Sequence, residues 1–311
     1  MKTIHCVGCL VVDFLSGPLK QYPVPKVQTQ VTTKSVRIMP GGGAANTPSA
    51  LARMGIPVGV FSKVGDDLTG EFVRHELAKL GVDTSGIKVS ASDTTPMTYV
   101  GIHADGDRTF IHTPGANATF SWNDLNLDRV LAADYLLYQD LWVLATMDGE
   151  SGARLLAEAQ KRGVVTFLDE CFGNGPKRET LELMLPHCDY FTPSIDDLRV
   201  IYPGASEQEL ADRLLGLGAR VVVLKMGSEG CMVARGKDYT RVPALPAKVV
   251  DTTGAGDCWD AGFLAGLSQG EDVVTAARIG NACAAFSIEA VGGSTGVPSY
   301  EAVKQRAMQA A

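Results

Sequence analysis

Along the chain, short apolar runs alternate with longer segments that place apolar residues at helical spacing. The runs at 4–12, 58–63, 135–138, 164–169, 190–192 and 221–225 read as strands buried on both faces. The segments at 44–54, 68–80, 149–161, 176–185, 207–217, 257–267 and 273–289 read as helices. Such alternation predicts an α/β fold, a mainly parallel sheet core flanked by helices. Two stretches break the rhythm. Residues 14–40 carry Pro18, Pro23 and Pro25 and then QTQVTTKSVRIM, whose β-branched and polar residues suit an exposed strand. Residues 95–115 read as strands 96–103 and 108–113, joined by a turn containing Asp105-Gly106. The two stretches are expected to pair into a small β-sheet lid. The core is then 1–13, 41–94 and 116–311.

Composition narrows the function classes. The chain has 311 residues and a net charge of −7, which argues against a nucleic-acid binder with a basic face. No apolar run approaches the roughly 20 residues of a membrane span. The start, MKTIHCVGCLVVD, lacks the layout of a secretory signal, so a cytoplasmic location is expected. Seven scattered cysteines suggest no disulfide framework. Cys6 and Cys9 have CxxC spacing, but within a single strand they would face opposite ways, a structural arrangement. Asn117-Ala118-Thr119 has the pattern of a glycosylation sequon, without a secretory signal to give it meaning.

Three motifs carry chemistry. In Asp251-Thr252-Thr253-Gly254-Ala255-Gly256-Asp257 a glycine turn leads into the apolar helix pattern CWDAGFLAGL. A helix N-terminus presents unpaired N–H groups and the positive end of the macrodipole, and glycines let a bulky anion come close. A carboxylate there makes sense if the anion is a phosphoryl group in transit and Asp257 accepts a hydroxyl proton. The alternative is that Asp257 merely caps the helix. Gly41-Gly42-Gly43-Ala44-Ala45-Asn46 permits close main-chain contact, Asn46 offers a donor and acceptors to a polyol, and Asp13 ends the first strand nearby. This block is no dinucleotide fingerprint, since position 46 is Asn and Pro40 should break a preceding strand. Lys225-Met226-Gly227-Ser228-Glu229-Gly230 follows the apolar run VVVL and reads either as a nucleotide contact or as a plain turn. No Walker A sequence is present, because Gly236-Lys237 is followed by Asp238.

Taken together, Asp13, GGGAAN, the KVGDDLTGEF segment, KMGSEG and DTTGAGD, in this order along essentially the whole chain, resemble the ribokinase-like (PfkB) carbohydrate kinase family. The resemblance implies a parallel-sheet core with a β lid, and transfer of the ATP γ-phosphoryl group to a sugar or nucleoside hydroxyl. It implies Asp257 as catalytic base and the amides of Gly254, Ala255 and Gly256 as anion hole. Asp13, Gly41, Gly42 and Asn46 are the implied sugar contacts. Ser194, Lys225, Gly227, Gly230 and Asn281 are the implied nucleotide region. Asp251 and Thr253, with the loop at 291–293, are a candidate monovalent-cation site (K⁺). The implied partners are a small sugar and ATP with Mg²⁺, and a homodimer through the lid. One departure stands out: the family's usual Asn-x-x-Glu is here Ser194-Ile195-Asp196-Asp197. Asp197 is a methylene shorter than Glu, so its contact with Mg²⁺ is expected through water. Alternatives are a nucleoside kinase, whose base slot would use Phe14, Tyr99 and Phe110, or a phosphosugar kinase using Lys34, Arg37 and Arg108. A non-catalytic sugar-binding regulator is the third.

Overall fold

The computed structural model describes residues 2–19, 31–103, 108–171, 175 and 177–309. The predicted turn at 104–107 and residues 20–30 lie outside the described residues. The strands are β1 (Ile4–Val7), β2 (Val11–Leu19), β3 (Ser35–Gly41), β4 (Val58–Gly65), β5 (Asp83–Ser90), β6 (Met97–His103) and β7 (Arg108–Thr113). They continue as β8 (Tyr135–Leu141), β9 (Val165–Glu170), β10 (Tyr190–Phe191), β11 (Val221–Lys225), β12 (Cys231–Arg235) and β13 (Asp238–Val242). The helices are α1 (Gly43–Arg53), α2 (Leu68–Lys79), α3 (Leu127–Val130), α4 (Glu150–Lys161) and α5 (Arg178–Met184). After them come α6 (Ile195–Ile201), α7 (Glu207–Gly216), α8 (Ala255–Ser268), α9 (Val273–Ser287) and α10 (Tyr300–Gln309).

The large sheet has the order β13-β12-β11-β10-β9-β8-β1-β4-β5, parallel from β11 to β5 with β12 and β13 antiparallel at one edge. Apolar side chains fill both faces. Cys6, Val60 and Phe263 belong to one cluster; Val7, Leu136 and Leu156 belong to the other. From β1 the chain runs one way to β4 and β5, and later the other way through β8 to β11. The order therefore reverses between β1 and β8, and a crevice opens at their carboxyl ends, where ligands of open α/β sheets bind.

The small sheet has the order β3-β2-β6-β7. It corrects two expectations. The apolar run 4–12 is not one strand: β1 ends at Val7, the chain bends through Gly8–Leu10, and β2 joins the small sheet. A Cβ on Gly8 would stand 2.8 Å from Asp140 Oδ2, so this bend packs against the end of β8. Hydrophobic continuity hid the break, and Asp13 consequently lies on the small sheet. Nor does Pro40 break a strand. It pairs with Val12 inside β3, an edge strand, where the missing N–H costs no inner ladder bond. The strands β5, β12 and β13 and the helices α3, α6 and α10 were not anticipated. In β5, DTSGIKVS is too polar to read as a buried run.

Other motifs prove structural. Cys6 and Cys9 lie in different core clusters, on opposite sides of the sheet. Asn117 is buried and donates to Leu10 O at 3.1 Å, which leaves no room for a glycan. In the KVGDDLTGEF segment, Asp67 caps α2 and accepts from Thr95 N at 2.8 Å, tying the core to the start of β6. These bonds hold its carboxyl down to about 2 against the opposing effect of burial.

Candidate active site

The heptad forms the junction the sequence suggested, with one change of roles. Helix α8 starts at Ala255, so Asp257 is its third residue, and its N-cap is Gly254. Gly254 has φ 69°, a left-handed conformation that Cβ-bearing residues resist. Asp257 is therefore not the cap. Its Oδ2 instead accepts from Asn46 Nδ2 at 2.8 Å, and Thr47 Oγ1 donates to Asp257 O at 2.9 Å. Gln139 Nε2 donates to Thr47 Oγ1 at 2.7 Å, so α1 and β8 together brace the start of α8. Of the three implied anion-hole amides, Ala255 N–H already donates to Thr252 O at 3.2 Å. The N–H groups of Gly254 and Gly256 meet no acceptor among the described residues.

The Asp257 carboxyl is pushed up to about 6, first by desolvation and then by the charge of Asp169; Asn46 and Lys225 pull it back down. Its side chain keeps partial solvent access at the crevice mouth while the carboxyl sits deep among protein atoms. At neutral pH it is mostly ionised and able to take a proton. Asp140, absent from the sequence reading, closes the crevice floor. Its Oδ2 accepts from Cys9 N at 2.8 Å and its Oδ1 from Gly43 N at 3.2 Å, so it joins the ends of β1 and β8 to the start of α1. Its φ of 60° is unusual for a non-glycine residue and typical of functional sites. Burial, and then Asp257, pushes its carboxyl up to about 7.

Two cavities flank the start of α8: Ala255 and Gly256 of its first turn wall one, and Thr253, just before it, walls the other. On one side lies a cavity of about 680 Å³, walled by Lys225, Gly227, Gly230, Trp259, Asn281 and Gly256 together with an apolar stretch from Ala244 to Val249. Asn281 is a wall brace there. Its Nδ2 donates to Val242 O and Pro243 O, and its Oδ1 accepts from Trp259 Nε1 at 2.7 Å. Lys225 Nζ donates to Asp169 Oδ1 at 2.7 Å and Asp260 Oδ2 at 3.2 Å, and lies 3.4 Å from where a Cβ on Gly256 would stand. Ser194 and Asp197 are set further back, at the start of α6. Ser194 Oγ caps that helix and Ser194 N–H donates to Glu170 Oε1 at 2.6 Å.

On the other side is a smaller cavity of about 160 Å³, between the small sheet and the core. Asp13, Met39, Thr98 and Phe110 come from the sheet; Asn46, Thr253, Gly292 and Gly293 come from the core. The register explains the selection. Met39, Asp13, Thr98 and His112 form one cross-strand row, and Thr98 Oγ1 lies 3.0 Å from His112 Nδ1. Burial pushes the Asp13 carboxyl up to about 6, opposed by a hydrogen bond from Thr98. Gly41 stands against Asp13, with 2.1 Å from its notional Cβ to Asp13 Oδ2, while Gly42 precedes α1 as its N-cap. Gly293 has φ 44°, and a Cβ there would fall 2.3 Å from Asn46 Oδ1. Asp251 holds this loop to the heptad, accepting from Thr253 N at 2.9 Å and Gly292 N at 3.0 Å.

The register also corrects the alternatives. Phe14 and Tyr99 share the next row with Ile38 and Ile111, which faces away from the cavity, so only Phe110 of the three aromatic candidates lines it. Lys34 and Arg37 are exposed and outside its walls. The Arg108 side chain lies outside the described residues. Thr98, Met39, Asp140 and Glu170 are the additions that sequence reasoning missed.

A helix turn that offers open amides between a nucleotide-sized cavity and a polyol-sized one, with a carboxylate at the junction, is the architecture of a phosphotransferase acting on an alcohol group. The chain belongs to the pfkB family of carbohydrate kinases, whose profile matches residues 1–299. It is 31% identical over 253 residues to an uncharacterised sugar kinase of Archaeoglobus fulgidus, covering 80% of this chain and 98% of that protein. It is 26% identical over 307 residues to the ribokinase of Bacillus subtilis, covering 98% and 99%. The fold matches that of Arabidopsis thaliana ribokinase complexed with ribose and ATP, with TM-score 0.83, 22% identity and 98% coverage of each chain. No described helix is long and apolar enough to cross a membrane.

Proposed function

We propose that this chain transfers the γ-phosphoryl group of ATP to a hydroxyl of a small neutral monosaccharide, with Asp257 as the base. The observation that carries this proposal is the Asn46–Asp257 contact, which ties a wall residue of the smaller cavity to the α8 turn whose Ala255 and Gly256 wall the larger one. A sugar hydroxyl in the smaller cavity would lie near Asp257. As its oxygen attacks the γ-phosphorus, Asp257 takes its proton and the bond to the β–γ bridging oxygen breaks, releasing ADP. The open amides of Gly254 and Gly256, with the helix dipole behind them, stabilise charge on the group in transit. Positioning and charge stabilisation are what phosphoryl transfer chiefly needs. Asp13 is positioned to accept from sugar hydroxyls.

The larger cavity suits a nucleotide: an apolar slot from Ala244 to Val249 for the base, and Lys225 beside Gly256 at the phosphate end. Mg²⁺ would neutralise phosphate charge. Its fit rests on the carboxyl groups around Lys225, where Glu170 Oε2 and Asp260 Oδ1 are buried without a hydrogen-bond donor. Asp251 and Thr253 with the 291–293 loop stay the candidate K⁺ site, checked by comparing activity in K⁺ and tetramethylammonium salts. The outward row Ile38, Tyr99 and Ile111, with Val36 and Met97, gives the small sheet an exposed apolar face that a second copy would cover as a homodimer. A cytoplasmic location accords with the need for ATP.

Neutral sugars are favoured because, among the described residues, none that lines the acceptor cavity is a cation to match a phosphosugar. A nucleoside would need a base slot, and two of its three candidate aromatics, Phe14 and Tyr99, are on the sheet face away from the cavity. ADP release should be measured with Mg-ATP against neutral sugars, sugar acids, sugar phosphates and nucleosides, with Asp257→Asn in parallel. A neutral sugar should give the strongest signal, lost in the variant. Strong turnover of a nucleoside or phosphosugar would overturn the acceptor class, and an unaffected variant would overturn the base.

A further inference from the structure

We propose that a third cavity, at the far end of the large sheet from the α8 turn, binds a monosaccharide phosphate as a second ligand site. The cavity measures about 380 Å³, within the usual range of small-molecule sites. Its walls are the amino ends of β9, β10 and β11, the carboxyl end of α4 and the end of β12. It shares no wall residue with the two cavities beside α8. Strands β9 and β11 run from it to Asp169 and Lys225 at the nucleotide side. Strands of that length span roughly 17–20 Å, so a ligand here does not touch the reacting groups.

The polar groups of this cavity are of two kinds. Arg220 and Arg235 bring guanidinium groups from two different strands. Arg220 Nη1 lies 3.0 Å from Asp189 Oδ1, while the Arg235 side chain makes no ion pair or hydrogen bond among the described residues. Two arginines against one aspartate leave the walls with a net positive charge, in a chain whose net charge is −7. Guanidinium forks match phosphate oxygens in pairs, and a phosphomonoester has three oxygens to divide between two arginines. The second kind are acceptors. Asp189 is 9% exposed, and its Oδ2 accepts from Thr166 N at 2.9 Å and Thr166 Oγ1 at 3.1 Å. Its Oδ1 is buried and accepts no hydrogen bond. A buried carboxylate oxygen without a donor is costly, and a ligand hydroxyl supplies that donor. The end of α4 adds carbonyls at the negative pole of the helix dipole, which again favour donors. Tyr190, its ring stacked on Phe167 at 4.6 Å, is a fixed wall between them. An anionic group for the arginines and hydroxyls for the acceptors, in one small molecule, describe a sugar phosphate.

The test is calorimetric titration of glucose 6-phosphate, ribose 5-phosphate, inorganic phosphate and L-glutamate into the whole protein, as wild type, Arg235→Gln and Arg220→Gln. A sugar phosphate can also enter the active site, so the diagnostic is the binding that the arginine variants lose. At least one of the two sugar phosphates should bind the wild type, and each substitution should weaken that binding by about 10–150-fold, the loss of a charge-assisted hydrogen bond. Arg235 is exposed, so Arg235→Gln should melt with the wild type; if Arg220→Gln fails to fold, Arg235→Gln decides alone. Absence of binding by both sugar phosphates, or binding undiminished in the variants, would overturn the proposal. Inorganic phosphate bound as tightly as the sugar phosphates would overturn the role of Asp189 and the hydroxyls. Tighter binding of L-glutamate, which pairs an ammonium with carboxylates, would overturn the phosphate class.

Discussion

The cavities on the two sides of the α8 turn are assembled in different ways. The walls of the larger one come from one continuous stretch of the chain, Lys225 to Ile288, and from the large sheet and its helices. The walls of the smaller one come from widely separated parts of the chain, around Asp13, Met39 to Asn46, Thr98 and Phe110, Thr253, and Gly292 to Gly293. The first is a local construction in which neighbours in sequence are neighbours in space. The second exists only when the small sheet sits over the core. Mutations on the acceptor side should therefore act on geometry and turnover, and those on the nucleotide side on affinity and stability.

The sharpest test of that division is its shared residue. Asp257→Asn keeps the shape and the contact with Asn46 but removes the base, and turnover should fall roughly 10²–10⁴-fold with ATP affinity retained. Asn46→Ala comes next. It deletes the hydrogen bond that orients Asp257, a bond to a charged group of a kind worth about 1.5–3 kcal/mol. That corresponds to about 10–150-fold in kcat, again with ATP binding intact by calorimetry. A comparable loss of ATP affinity would mean that the two sides are coupled through α1.

How much of this was legible in the sequence follows the same division. On the nucleotide side, KMGSEG and the glycine turn with its apolar helix are each contiguous motifs, legible one by one, and the fold brings Lys225 beside Gly256. On the acceptor wall, Asp13 and Asn46 sit in motifs while Thr98 and Met39 enter only through strand register. Period-two alternation from Asp13 would have put Phe14 on the opposite face of the sheet, a signal present but unused. Asp140 and Glu170 had one too: each is a carboxylate at the carboxyl end of an otherwise apolar strand, YLLYQDL and VTFLDE. The break between β1 and β2 had none, since the run stays apolar across it.

Acidity should sharpen the comparison with a smaller effect. Asp257 and Asp13 are both raised to about 6, and each works as an acceptor only when ionised. Acceptor kcat/KM should therefore be level above pH 7 and fall below about 6, by about tenfold per pH unit for each group that matters. Wild type should approach a two-proton acid limb, and Asp13→Asn a one-proton limb. ATP affinity, measured without acceptor, should follow neither carboxyl.

The smallest effect on catalysis is expected from Asn281, although the sequence placed it in the nucleotide region. Its amide holds Trp259 Nε1 and the carbonyls of Val242 and Pro243, so it joins α9, α8 and the end of β13 into one wall. Asn281→Ala leaves these buried groups unpaired, at about 1–3 kcal/mol of stability. The wall then loosens while the α8 turn, the base and the acceptor rows are untouched. The melting temperature should drop clearly, KM for ATP should rise only several-fold, and kcat should stay near that of the wild type. A large fall in kcat with unchanged stability would instead make Asn281 a direct nucleotide contact, and the locally built cavity would then share the catalytic work assigned to the composite one.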